Sequence, residues 1–83
     1  MSLRDEYVQK SEEMKEKFKE VIDDLSIKYD KDVGVGFDML KAIARAKVYD
    51  VEPLYESNVE FDEDELVADY MELLNISDKI VNG

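Results

Sequence analysis

LRDEYVQKSEEMKEKFKEVIDDLSIKYD, residues 3–30, is the stretch that decides the fold. No glycine or proline interrupts it. Tyr7, Met14, Phe18, Val21, Ile22, Leu25 and Tyr29 fall within an arc of roughly 100° at helical spacing, which predicts one long amphipathic helix. Lys10, Lys17 and Lys28 border the arc on one side and Lys15 and Lys19 on the other, while Glu12, Glu13, Glu16, Glu20 and Asp23 occupy the back. At 1.5 Å per residue this helix would run about 40 Å, whereas a globule of this chain length is roughly 30 Å across. Its apolar stripe would overhang the domain. That predicts a homodimer or higher oligomer, with Tyr7, Met14, Phe18, Val21 and Leu25 in the dimer interface.

Residues 30–36 break the pattern, and Gly34-Val35-Gly36 reads as a flexible turn. A second helix is expected over about residues 37–49, with Met39, Ile43 and Ala46 inward and Leu40 and Ala42 at the margins. Lys41 and Arg45 lie four apart on its opposite side, where they can act together. Pro53 closes this region, and Leu54, Tyr55, Val59 and Phe61 of the connector 51–61 can still pack. The third helix has the clearest start. Asp62 suits an N-cap, Glu65 completes a capping-box pattern, and Glu63 and Asp64 place negative charge where the helix dipole favours it. Leu66, Val67, Tyr70, Met71, Leu73 and Leu74 are expected to be buried, and Asp69 and Glu72 to face out. Asn75 is expected to end this helix, with a short last turn over 77–81. The fold class is all-α, one domain over 1–83, with a long N-terminal helix and two shorter ones.

Charge is unevenly distributed along the chain. Residues 1–31 hold seven Lys/Arg against nine Asp/Glu, residues 32–50 three against three, and residues 51–83 one against ten. The net charge of −11 is thus concentrated in the last third, while the window from Met39 to Tyr49 carries Lys41, Arg45 and Lys47 and no acid. A chain polarised in this way can dock on an anion through one face although its whole repels one.

Cysteine and histidine are both absent, which removes disulfides, thiolate chemistry and the commonest general base and metal ligand at neutral pH. No apolar run approaches the ~20 residues that span a bilayer, and no hydrophobic signal core opens the chain, so a cytoplasmic protein without membrane contact is expected. Asp30-Lys31-Asp32 with Gly34 has the beginning of a calcium loop, but its twelfth position is Lys41, where a bidentate Glu is required. Gly34-Val35-Gly36 lacks the third glycine of a dinucleotide site and the ending of a phosphate loop. Carboxylates are plentiful, yet no nucleophile, base or metal-ligand constellation accompanies them, so neither an enzyme nor a cofactor or metal is expected.

The lysines beside the first helix's stripe read either as ion pairs around a helical seam or as a phosphate-tracking surface. The acidic third helix reads as a solvated face or as a docking surface whose carboxylates imitate phosphates.

The run Met39-Leu40-Lys41-Ala42-Ile43-Ala44-Arg45-Ala46-Lys47, preceded by a long charged helix and Gly34, is followed by Asp50 and the capped stretch Glu63-Asp64-Glu65-Leu66-Val67-Ala68-Asp69-Tyr70. Over roughly residues 15–74 this order resembles the DsbA-like family of small double-stranded-DNA-binding late-transcription proteins of T-even phages. It is more distantly similar to the GapR-like nucleoid proteins of alphaproteobacteria. The resemblance implies a dimeric or higher-order helical protein, in the host cell cytoplasm if phage-encoded. It implies weak, non-specific double-stranded-DNA binding accessory to late transcription or DNA organisation, with a transcription-machinery protein as a further partner. It places Lys41, Arg45 and Lys47 on the DNA side, with Lys28 and Lys31 as looser matches. The connector 51–61 is longer than its counterpart, and the net charge is acidic for a DNA binder. The alternative is an acidic protein-interaction module, or DNA mimic, that binds a basic protein partner.

Overall fold

Ser2 and Asp5 cap one another at the N-terminus: the Asp5 N–H donates to Ser2 Oγ at 3.1 Å and the Ser2 N–H to Asp5 Oδ2 at 3.4 Å. This reciprocal capping box satisfies donors that a helix start leaves open, and it launches α1 (Leu3–Lys17). The computed structural model describes residues 2–53 and 56–83, so the packing expected of Leu54 and Tyr55 lies outside the described residues. Three more helices follow: α2 (Lys19–Lys28), α3 (Val33–Val48) and α4 (Glu63–Asn82). Among the described residues there is no strand.

The expected single long helix is instead two, joined by a bend at Phe18, whose φ of −108° and ψ of 27° leave the helical region. The hydrogen-bond ladder still crosses the bend, from the Phe18 N–H to the Met14 carbonyl and from the Ile22 N–H to the Phe18 carbonyl, both at 2.9 Å. The bend falls where the packing partner changes, since α1 lies against α4 and α2 against α3. Phe18 itself meets Phe61 edge-on, with ring centroids 6.3 Å apart.

Bending the helix also corrects the dimer-interface expectation. Met14, Phe18, Val21 and Leu25 are buried in the chain's own core, and Tyr7 is half-buried against it. The stripe is covered by α3 and α4, so the overhang that motivated an intermolecular seam through these residues does not exist.

α2 and α3 both end on the dipeptide Tyr-Asp. Asp30 and Asp50 adopt positive φ, 50° and 56°. The residue after each reaches back into the last turn, Lys31 N–H to the Ser26 carbonyl and Val51 N–H to the Ala46 carbonyl, both at 2.9 Å. This is the left-handed C-terminal cap in which glycine is the usual residue and aspartate is tolerated.

The Gly34-Val35-Gly36 segment, expected as a flexible turn, forms the first turn of α3. Asp32 is its N-cap, accepting from the Val35 N–H at 2.9 Å. Gly36 is there for proximity. A Cβ on Gly36 would sit 2.6 Å from the Ile22 carbonyl oxygen and would collide with Ser26 Oγ. That hydroxyl fills the notch and donates to the Asp32 carbonyl at 3.1 Å. Against this contact α3 buries Phe37, Leu40, Ile43 and Ala44, and the core is completed by Leu66, Tyr70 and Leu73 of α4.

On the other side, α1 and α4 are held antiparallel by a buried carboxylate. Asp69, expected to face out, is 8% exposed. Lys10 Nζ lies 3.1 Å from its Oδ1 and Lys17 Nζ 2.9 Å from its Oδ2. The same lysines reach Glu72 at 3.0 Å and Glu65 at 2.6 Å. Burial opposes the charged form of Asp69, but the hydrogen bonds from Lys17 and Lys10 outweigh it and hold its carboxyl below the usual carboxylate range. Met71, expected inside, is exposed, and Glu72 faces out as expected. α4 also continues past Asn75 without a break. Ile76 there lines a groove with Glu6 and Gln9 of α1, which gives the longer helix something to pack on.

Two predictions follow from these contacts. Gly36→Ala must push α2 from α3 and should lower stability by roughly 1–3 kcal/mol. Gly34→Ala meets only the Asp32 carboxylate, at 3.2 Å, and should have the smaller effect in a urea titration. For Asp69, a folded pKa below the unfolded one contributes stability that is full above the unfolded value of about 3.9 and is lost as pH falls through the folded value. The melting temperature should therefore decline in acid below about pH 4. Asp69→Asn should lower it at pH 7, by roughly 1–3 kcal/mol in stability, and flatten that acid limb.

Candidate nucleic-acid interface

α3 carries the cations that the sequence singles out, and the structure sorts them into different surroundings. Lys41 stands at the edge between α3 and α1. Its Nζ lies 5.1 Å from the centre of the Phe37 ring and 3.3 Å from Asp38 Oδ1. Lys15 comes to the same ring from α1, with its Nζ 5.3 Å from the centroid. Phe37 is itself buried, so one aromatic ring fixes two ammonium groups from two helices. Arg45, one turn beyond Lys41, is exposed and makes no ion pair among the described residues. Lys15, Lys41 and Arg45 thus form a cationic seam along the α1–α3 edge.

Lys47, Lys28 and Lys31 do not join this group. Lys47 turns toward the first turn of α4, where Glu63 Oε2 is 3.3 Å from its Nζ. Lys28 donates to the Glu56 carbonyl at 2.9 Å, and its ammonium lies 5.8 Å from the Tyr29 ring centre. In that role it helps tie the α3–α4 connector to α2, alongside Asp24. The Asp24 carboxylate accepts from the Asn58 N–H and from Ser57 Oγ, each at 2.9 Å. Those two hydrogen bonds, Asn58's first, hold the Asp24 carboxyl below the ordinary range. Lys31 is exposed in the α2–α3 turn, at the opposite end of α3 from Arg45.

Lys15 was read with the other lysines beside the first helix's stripe, as an ion-pairing or a phosphate-tracking residue, and was not singled out for the DNA side. The signal was present, since it borders the apolar arc, but only the fold shows that this border faces α3. Of the eight Lys/Arg outside the seam, Lys10, Lys17, Lys19 and Lys47 form ion pairs among the described residues. The partners on the seam are local and loose: Glu12 and Asp38 are three residues away in the chain, with side chains 67% and 70% exposed. Such exposed pairs are worth at most about 1 kcal/mol and exchange readily for a better anion. The Lys10–Asp69–Lys17 group is the contrast, because burial and mutual hydrogen bonding fix it in place.

Among the described residues no group of acids, histidines or cysteines is placed to hold a metal ion, and no helix is long and apolar enough to cross a membrane. The seam offers hydrogen-bond donors and positive charge. That chemistry suits binding an oxyanion.

Removing the seam's charges should leave the fold intact. Lys41→Gln with Arg45→Gln should change stability by less than about 1 kcal/mol in a denaturant titration, since exposed pairs contribute little and glutamine is a fair helix former. Comparison with models of protein families, with curated proteins and with solved structures finds no match to this chain.

Proposed function

We propose that this protein docks weakly, and without reading sequence, on the phosphate backbone of double-stranded DNA through the α1–α3 seam, as an accessory to phage late transcription or DNA organisation. The observation that carries the reading is the convergence of Lys15 and Lys41 on the Phe37 ring, with Arg45 open beside them, in a chain whose remaining surface is acidic. The resemblance to the phage DNA-binding family points the same way. Arg45 would grip a phosphate bidentately, Lys41 would swing from Asp38 to the same phosphate or its neighbour, and Lys15 would reach a further one, three cationic contacts in all. With Met14, Phe18, Val21 and Leu25 in the core, a single chain presents the whole seam.

Each phosphate contact releases counterions, so three contacts give a slope of log affinity on log salt of about −2.7, roughly a fortyfold loss between 50 and 200 mM salt. Lys41→Gln with Arg45→Gln should flatten the slope toward about −0.9 and weaken binding alike on two unrelated duplexes. Asp38→Asn should tighten binding, because it removes a competitor for Lys41. A double variant with the parent's affinity and salt slope would overturn the assignment.

A second reading has its own observation. Among the described residues seven of the twenty-two Asp/Glu take part in ion pairs, and fifteen do not. Such a surface would suit an acidic docking module, or DNA mimic, for a basic protein partner. Glu60→Gln with Asp64→Asn separates the two readings. It would weaken capture of a basic partner under the second, and slightly tighten duplex binding under the first.

A further inference from the structure

A small pocket of about 120 Å³ opens between α1, α3 and α4, lined among others by Tyr7, Lys41, Arg45, Tyr70 and Ser77. Tyr70 is 5% exposed, yet its hydroxyl has no hydrogen-bond partner among the described residues. Nor is that hydroxyl among buried atoms left without a partner, because there are none. The hydroxyl is therefore not sealed from solvent, and Tyr70 is one of the residues that line this pocket. The Tyr7 and Ser77 hydroxyls and the Arg45 guanidinium also have no hydrogen bond among the described residues. A buried tyrosine normally finds a partner for its hydroxyl. Tyr70 lines this pocket beside half-buried Tyr7 and Ser77 and exposed Arg45, none of which has a hydrogen bond among the described residues.

Every polar side chain lining the pocket can donate, two of them carry positive charge, and no carboxylate lines it. Asp38, whose side chain is exposed, lies 3.3 Å from the Lys41 ammonium and does not line the pocket. The volume is well below the roughly 300 Å³ at which pockets begin to take drug-sized ligands, so it suits one small group. We propose that this pocket binds a single phosphate group, with Arg45 and Lys41 meeting its charge and the Tyr70, Tyr7 and Ser77 hydroxyls donating to its oxygens. The phosphate comes either from a duplex backbone, in which case the inference rests on the DNA-binding reading, or from a free phosphate or phosphate monoester.

The test is an amide NMR titration of the full chain with inorganic phosphate, against chloride at matched ionic strength. The expected result is saturable shifts confined to the surroundings of Tyr7, Arg45, Tyr70 and Ser77. Tyr70→Phe, which keeps the buried ring, should weaken phosphate binding about two- to tenfold, the worth of one hydrogen bond. Arg45→Gln should weaken it tenfold or more, as loss of a charged hydrogen bond does. Absence of saturable shifts, or equal phosphate affinity in the parent and both variants, overturns the proposal. Duplex DNA supplies the second arm. If a backbone phosphate is the ligand, phosphate and duplex compete and Tyr70→Phe weakens both. If phosphate saturates the pocket while duplex does not bind, the pocket stands with a free phosphate as its ligand and the DNA reading falls. If duplex binds but phosphate leaves the pocket unchanged, the pocket falls and the DNA reading stands.

Discussion

One buried carboxylate, that of Asp69, governs how this protein's charges are shared between its interior and its surface. Its two oxygens each hold a lysine of α1, and those lysines in turn hold Glu65 and Glu72. The arrangement fixes α1 on α4 and covers most of Lys10, while Lys17 stays open to solvent. It also settles which edge of α1 turns toward α3, the edge bearing Tyr7 and Lys15. The cationic seam is a consequence of that orientation. A hydrophobic pair in place of Asp69 and its lysines would pack as well but would not set the helices' rotation so narrowly, because apolar contact is non-directional.

The opposite side of the molecule is set by absence of a side chain. Gly36 lets α3 approach the Ile22 carbonyl of α2, which places Phe37, the next residue, in the core beneath Lys15 and Lys41. The two constraints act on different helix pairs, and together they bring cations from α1 and α3 to the same ring. Neither cation belongs to the other's stretch of sequence, so the seam exists only in the folded chain.

Local signals were legible in the sequence and tertiary ones were not. The Asp62 cap depends on residues three apart, and its side chain accepts the Glu65 N–H at 3.2 Å as read. The all-helical class and most of the core follow from periodicity alone. Asp69 was misread because its periodicity suits an outer position, and only the lysines of α1, more than fifty residues away, make burial tolerable. Gly36 resembled a turn glycine because a close approach leaves no trace in composition. The bend at Phe18 has no proline or glycine to announce it. Lys47 and Lys28 were cations in the right stretch, but Glu63 and the Glu56 carbonyl reach them from distant segments. Lys15 could be read only as one of the lysines bordering the stripe, because its sequence neighbours are mostly acids, and only the fold brings it to an aromatic ring shared with a second lysine.

An acidic protein that meets DNA through a few cations will bind weakly, since the long-range field repels while the seam attracts. Within a screening length of about 8 Å at physiological salt the distant acids are damped, and Glu12 and Asp38 are the acids beside the seam's three cations. Lysine footprinting reads that geometry most directly, by comparing acetylation rates with and without a short duplex at low salt. The account predicts that Lys15 and Lys41 become slow to react on addition of DNA, while Lys19 and Lys79 keep their rates. Equal rates at Lys15 and Lys41 with bound DNA present, or protection centred on Lys19 or Lys79, would contradict it.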